Sequence, residues 1–431
     1  MVGKKYAFFF LLLILVLGVR ATYAEVNTEN YYWDEVVFLH LGEEISEGSY
    51  SSNLGEEYRA PLFPFLLSFF GESYGHLFVM FLVFCSIFLV FLLGKELFST
   101  KTGLIAAIIF GSMPLYFFYS VKLLTEPLAF IWILLSFLFL VKYEKKSSPY
   151  YLYLIGFFLG LAVLSRYLCL VLVFSFLVYA MFRKWAKMEI AKSILAFLIT
   201  LSPLFILGWL NYGNPLGMLL VNLFDNTTPN GTIFYYIVNW FSILGFFVSI
   251  LFVIGLRRWK KVKHILLFMS IYFVAISLLS QHYERFLMLL FPFFAILAAQ
   301  GLVCVDKWKV GKSILLLWVV VALLSGIALI DEDKDNTTFL IETAKALDLD
   351  GTVMSNSPVY LQYFGDLDVV NFPDSLENIG SISYFVVDNY HPREDSNFTN
   401  YVSYIKENKE EIYTFQWEHR EIIVYEENSH V

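Results

Sequence analysis

The chain has 431 residues, of which 58% are hydrophobic, 19% aromatic and only 16% charged. Soluble domains carry about a quarter charged residues, so a water-soluble globule is excluded and an integral membrane protein is indicated. The formal net charge of −8 comes with no basic patch outside the short loops between apolar segments, which excludes nucleic-acid binding. Cys85, Cys169 and Cys304 are scattered through apolar runs. They offer neither a disulfide framework nor a metal knuckle, and read as core residues.

In chain order, apolar runs occur near 6–23, 76–94, 103–119, 126–141, 150–165, 168–182, 190–210, 233–256, 265–280, 286–305 and 314–330. A helix needs about 20 residues to cross about 30 Å of hydrocarbon, so these runs predict about eleven transmembrane helices in a domain covering 1–330. The first run has a second reading: Met1–Lys5 as the basic start of a signal peptide and Ala21-Thr22-Tyr23-Ala24 as its cleavage site. Either way Glu25 onward is outside. An outer loop over 25–75 follows, in which 60–70 (APLFPFLLSFF) is too short to span and reads as an interfacial helix. Beyond 330 the composition becomes that of an ordinary soluble domain. There 337–347 and 397–407 read as helices, and 384–387 and 421–425 as strands, which predicts a small α/β domain over 331–431.

Lys and Arg set the orientation. With the N-terminus in the cytoplasm, nineteen basic residues up to Ile330 fall inside and five fall outside: Arg20, Arg59, Lys122, Arg166 and Arg285. This positive-inside bias places the C-terminal domain outside the cell membrane. All four N-x-[ST] sequons, at Asn226, Asn230, Asn336 and Asn397, fall on the same outer face.

Charges held at the outer ends of spans are costly, and so mark candidate chemistry. Asp34 and Glu35 follow Tyr31, Tyr32 and Trp33 in the first outer loop. Adjacent helical carboxylates diverge by about 100°, so the two serve different partners. Asp34 reads as a general base toward a hydroxyl or as a solvated loop acid. The three aromatics either stack on a sugar face or anchor the loop at the interface. Arg59 opens the interfacial helix, where it binds an anion or snorkels to headgroups. In Thr125-Glu126-Pro127, Thr125 is placed to cap the next helix and Glu126 to favour its N-terminus. Arg166, in Ser165-Arg166-Tyr167, sits between two spans with hardly any loop. It needs an anion, either a phosphate or an acid such as Glu126 or Asp34. Glu284 and Arg285 precede Phe286 and Pro292; they pair with each other, or Arg285 reinforces an anion site that Glu284 orients. His40, His76 and His282 lack metal-ligand spacing, and neither a Walker A sequence nor a strand-linked GxGxxG is present.

Taken together, Asp34-Glu35, the Arg-x-Pro-Leu of Arg59 to Leu62, Thr125-Glu126-Pro127, Ser165-Arg166-Tyr167 and Glu284-Arg285-Phe286 with Pro292 resemble the C-type (GT-C) glycosyltransferases. The likeness is to the polyprenyl-phosphate-sugar-dependent branch, which includes protein O-mannosyltransferases and lipid A aminoarabinose transferases. The chain has neither the β-trefoil insertion of eukaryotic O-mannosyltransferases nor a WWDYG-type motif. The resemblance implies inverting transfer of a mannose-like hexose or related sugar from a polyprenyl- or dolichyl-phosphate donor to an acceptor hydroxyl on a protein, lipid or glycan. It implies Asp34 as general base with Glu35 beside it, and Glu126 orienting the acceptor or the first loop. Arg59, Arg166 and Arg285 would hold the donor phosphate, supported by Glu284, Tyr167, Tyr32 and Trp33. It implies no bound cofactor, the lipid-linked sugar being a substrate, and leaves room for a divalent metal. The rival class is a polytopic transporter or lipid flippase, which would place polar groups at the midplane of broken helices.

Overall fold

A computed structural model describes residues 2–26, 31–50, 58–224, 231–305, 308–371, 382–388, 396–417 and 420–426. Helix α1 (Val2–Val26) is followed by α2 (Trp33–Ser46) and α3 (Leu62–Leu97). Pro61 and Pro64 bracket the start of α3, where a missing N–H costs nothing. Gly71, at φ 58° and ψ −168°, breaks the helix, so the expected interfacial segment ends there. Only glycine takes such a conformation without steric cost. Beyond the kink, Leu77, Phe81, Phe84 and Phe88 form an exposed apolar stripe, while Val79, Val83, Ile87 and Val90 are buried. A helix apolar on both faces suits a hydrocarbon surround.

Helices α4 (Thr100–Ser112) and α5 (Pro114–Ser120) form one span bent by 65°. Pro114 has no N–H to continue α4 and restarts the helix. The fully buried guanidinium of Arg20 takes up the break, donating from Nε to Gly111 O at 2.6 Å and from Nη1 to Ser120 Oγ. Next come α6 (Glu126–Lys146), α7 (Pro149–Ser165) and α8 (Leu170–Phe182), then α9 (Lys187–Thr200) and α10 (Ser202–Tyr212), a second pair bent by 45°. Helix α11 (Gly217–Phe224) precedes α12 (Tyr235–Val238), α13 (Trp240–Leu244) and α14 (Phe246–Gly255), which divide the predicted run 233–256. Helix α15 (Lys263–Ser277) leads to α16 (Glu284–Leu287), a 3-10 turn and α17 (Phe291–Cys304), with Pro292 in the first turn of α17. Helices α14 and α17 meet through glycines: a Cβ on Gly255 would lie 2.0 Å from Leu297 O. Such small residues let helices approach closely where the surrounding lipid gives no hydrophobic drive.

Among the described residues, four helical stretches are long and apolar enough to cross a membrane, and up to six if each bent pair is one span. Shorter apolar helices at Ala7–Tyr23, Pro149–Ser165, Tyr167–Phe182 and Lys263–Ser277 answer to four more of the predicted runs. The polytopic helical class stands, and the expected runs appear as a mixture of long, bent and short helices, because prolines and glycines interrupt them.

Helix α18 (Trp308–Ala346) is continuous, and the helix expected at 337–347 is its end. Then follow β1 (Val353–Ser355), α19 (Pro358–Gly365), β2 (Val369–Asn371), β3 (Tyr384–Asp388), α20 (Ser396–Asn408), β4 (Glu410–Trp417) and β5 (Arg420–Glu426). The sheet order is β2-β1-β3-β5-β4. Strand β1 is parallel to both β2 and β3, whereas β5 is antiparallel to β3 and β4. Met354, Phe385, Val387, Ile405, Ile423 and Tyr425 form the core of this domain. Of the sequons, Asn226 and Asn230 lie outside the described residues, while Asn336 and Asn397 fall in α18 and α20.

The chain divides into two compact units, one of residues 1–28 and 58–330, the other of residues 29–57 and 331–431. The division at 330 falls where composition changes. The segment carrying Asp34 and Glu35, grouped by sequence with the membrane domain, clusters instead with the C-terminal domain.

Candidate functional site

In the first unit, separate motifs converge on Arg166. Helix α7 ends at Ser165, and Arg166 takes an extended conformation (φ −160°, ψ 118°) before the 3-10 turn at Tyr167–Cys169. The short link turns the guanidinium toward the start of α6. There Nη1 donates to Glu126 Oε1 and, at 3.2 Å, to Thr125 Oγ1. Phe286 lies under the guanidinium, its ring centroid 5.7 Å from Cζ. Tyr167 donates its hydroxyl to Arg59 O at 3.1 Å, fastening the start of α3 to the same link. The Arg59, Thr125-Glu126, Arg166-Tyr167 and Phe286 stretches, far apart in sequence, thus form one connected neighbourhood.

The arrangement settles several sequence alternatives. Arg166 pairs with Glu126, the acid at the N-terminus of α6. Thr125 does not cap that helix: its backbone is already helical (φ −73°, ψ −19°), and its hydroxyl accepts from Arg166 instead. Glu126 is 1% exposed, and its Oε2 accepts no hydrogen bond among the described residues. A buried carboxylate oxygen without a donor is rare in folded proteins. Arg285 lies over the ring of Tyr283, 5.6 Å from its centroid, and Arg59 over Tyr58 at 5.9 Å.

Two tyrosines that sequence reading missed, together with His282, brace the segment around the start of α16. Tyr236 donates to Tyr283 O at 3.1 Å and Tyr272 to Phe286 O at 2.8 Å, while His282 Nε2 lies 3.3 Å from Ser277 O. Tyr236 and Tyr272 sit inside apolar runs, where nothing in the sequence separates a bracing tyrosine from a core one. At the far end of α6 a second cluster was also missed. Glu144 accepts from Tyr179 and lies 3.3 Å from Arg183 Nε and 4.0 Å from His264 Nδ1.

In the second unit, Asp34 and Glu35 occupy the first turn of α2, and both are buried. Glu35 Oε2 accepts from the Tyr32 N–H at 2.7 Å, so this carboxylate holds the start of its own helix. That gives Glu35 a structural task, with Asp34 turned by about 100° from it. Two of the three aromatics pack against α19. Tyr31 is buried against Phe364 with centroids 5.5 Å apart, and Trp33 meets Tyr360 edge-on at 5.8 Å. Among the described residues no group of three or more His, Cys, Asp or Glu could hold a metal ion.

The long and bent apolar helices and the small mixed sheet make this a polytopic helical membrane protein with a small α/β domain. A sequence profile described as dolichyl-phosphate-mannose-protein mannosyltransferase matches residues 59–212, a stretch containing Arg59, Glu126 and Arg166. No curated protein matches by sequence. Among solved structures, the chain is similar to ArnT from Cupriavidus metallidurans bound to undecaprenyl phosphate, at 11% identity and a TM-score of 0.75, covering 100% of this chain and 99% of that one. It is also similar to the Archaeoglobus fulgidus oligosaccharyltransferase in complex with Zn and sulfate, at 14% identity and a TM-score of 0.58, covering 88% and 68%. The same archaeal enzyme, AglB, in complex with an inhibitory peptide and a dolichol-phosphate gives 13% identity and a TM-score of 0.54, covering 90% and 70%. At these identities the likeness establishes the fold.

Proposed function

We propose that this protein is an inverting glycosyltransferase that moves a sugar from a polyprenyl- or dolichyl-phosphate donor to an acceptor hydroxyl at the outer membrane face. The observation that carries the reading is the buried Glu126–Arg166 pair with its undonated Glu126 oxygen. A cation held at a span end fits a lipid phosphate, and a carboxylate oxygen awaiting a donor fits an acceptor hydroxyl. The profile match over residues 59–212 and the fold shared with ArnT and AglB support the donor class. Both of those structures hold a polyprenyl-type phosphate.

In the proposed reaction the acceptor oxygen attacks the anomeric carbon from the face opposite the phosphate. The carbon–oxygen bond to phosphate breaks, and the hydroxyl proton passes to Asp34. Arg166 and Arg285, with Arg59, hold the departing phosphate and stabilise its growing charge. Glu126 orients the acceptor through Oε2. Glu284, Tyr167, Tyr32 and Trp33 support the loops that carry these groups. The proposed topology puts the N-terminus in the cytoplasm and residues 331–431 outside, as the basic residues and sequons indicate.

The test uses full-length protein in lipid nanodiscs with labelled dolichyl-phosphate mannose, followed by other polyprenyl-phosphate sugars. Wild-type release of sugar that falls at least a hundredfold in Asp34→Asn is expected. Equal turnover in both would remove Asp34 as the base. No release and no donor binding would favour a transporter.

A further inference from the structure

Within the second unit, strand topology and side chains together explain how Asp34 is held. Strand β1 lies between β2 and β3, so the chain leaves it toward β2 on one side and its other parallel neighbour is β3. The carboxyl ends of β1 and β3 therefore flank the point where connections diverge, where open parallel sheets place functional side chains. Here that place holds a buried polar clamp. Asn356, one residue past β1, extends the ladder with its side chain: Nδ2 donates to Asp388 O at 2.7 Å and Oδ1 accepts from Asp388 N at 2.9 Å. Ser357 donates from Oγ to Asp388 Oδ2 at 2.8 Å and from its N–H to Ser355 Oγ at 3.0 Å. Asn356, Ser357 and Asp388 are all buried. The first residues of α19 are thereby tied to the sheet.

One turn along α19, Tyr360 turns this anchor toward α2. It is 1% exposed and donates its hydroxyl to Tyr31 O at 3.1 Å, while its ring meets Trp33. Phe364, a further turn on, packs against Tyr31. The main chain at 31–33 is thus held by α19, and Glu35 holds the Tyr32 N–H from the other side. Asp34 is the next residue. The Tyr31 carbonyl precedes α2 and lies outside that helix's ladder, so the Tyr360 hydroxyl bonds loop main chain three residues before the acid. We infer that Tyr360, anchored by Asn356, Ser357 and Asp388, is a positioning residue for Asp34, and that the C-terminal sheet is the mount of the proposed base. This rests on the glycosyltransferase reading above. A general base must be kept within a few tenths of an ångström of its working position, and a rigid sheet with a fully bonded polar network supplies that.

Tyr360→Phe keeps the ring and removes the bond. In full-length protein in nanodiscs, hydrogen exchange of the amides over 33–39 should accelerate about tenfold, while those of β3 and β5 stay at the wild-type rate. With labelled dolichyl-phosphate mannose, kcat should fall about tenfold and the donor KM should not move. In an Asp34→Asn background the same substitution should change nothing further. Ser357→Ala should reproduce the exchange effect in part, and Ser357→Thr should restore it. Unchanged exchange over 33–39, an equal loss of protection across the whole sheet, or a kcat drop that persists in the Asp34→Asn background would overturn the positioning role. Wild-type turnover by Asp34→Asn would overturn the base itself, and is separable because the exchange result does not depend on turnover.

Discussion

The two ends of α6 each carry a glutamate beside an arginine, about 27 Å apart at 1.5 Å per residue, yet they are built for different purposes. At one end Glu126 is 1% exposed, Arg166 is mostly buried, and one carboxylate oxygen has no donor. At the other, Glu144 is 22% exposed beside an Arg183 side chain that is 56% exposed, and Tyr179 and His264 complete its surroundings. The second is a more solvated cluster that ties α6 to α8 and α15, and its His264 Nε2 is likewise buried without a hydrogen-bond partner among the described residues. At the first, the undonated atom is a carboxylate oxygen of a nearly fully buried ion pair, where leaving it unsatisfied is costly. Burial of the ion pair, more than its presence, separates the two.

The largest effect should follow from breaking the buried pair. Arg166→Met strands the Glu126 carboxylate and should cost about 3–5 kcal/mol, read as a fall in unfolding temperature. Sugar release from the lipid-phosphate donor should drop at least a hundredfold. The double substitution Glu126→Leu with Arg166→Met should recover most of the stability, because an apolar pair replaces a buried ionic one at little cost, but not the turnover. Recovered turnover would make the pair structural.

Glu144→Gln should cost about 1 kcal/mol or less, since the carboxylate and Arg183 are partly solvated and their attraction is screened. Turnover should stay within about twofold; its loss would erase the contrast between the two ends. Thr125→Val removes one of Arg166's acceptors. A stability change of about 1 kcal/mol is expected, with a several-fold rise in donor KM as the guanidinium loses a fixed direction.

The smallest effect concerns pH in the second unit. Burial holds the His40 pKa below its usual 6.5, against the opposing pull of Glu44 and Glu47, and its Nε2 lacks a partner among the described residues. A lowered folded pKa means that the unfolded chain takes up the proton first as pH falls. The contribution of neutral His40 is fully present above pH about 6.5 and is lost on acidification through that value toward the lower folded one. Denaturation of His40→Asn at pH 7.5 and 5.5 should show a smaller loss of stability on acidification than wild type.

Much of this was legible in the sequence because it rests on local rules. Apolar run length marked the membrane helices, and composition marked the change at 330. Strand and helix periods located β3, β5 and α20 to within a residue or two. The motifs around Arg59, Glu126, Arg166 and Phe286 were visible as unusual charge at span ends. What was not legible depended on partners distant in the chain. Strands β1 and β2 are three residues each, too short for a period to show, and exist because β3 gives β1 a neighbour. Thr125 looked like a cap until Arg166 claimed its hydroxyl.

The sequence by itself determined a polytopic helical membrane protein with a small α/β domain, and which charged residues stand at the ends of its spans. These follow from hydrocarbon thickness and side-chain transfer costs, which act residue by residue. Only the tertiary structure decided that Arg166 pairs with Glu126, that Glu35 holds its own helix start, and that the loop bearing Asp34 groups with the C-terminal sheet. Those outcomes are choices among partners, and burial fixes them only once the chain has brought residues such as Tyr31 and Tyr360 together.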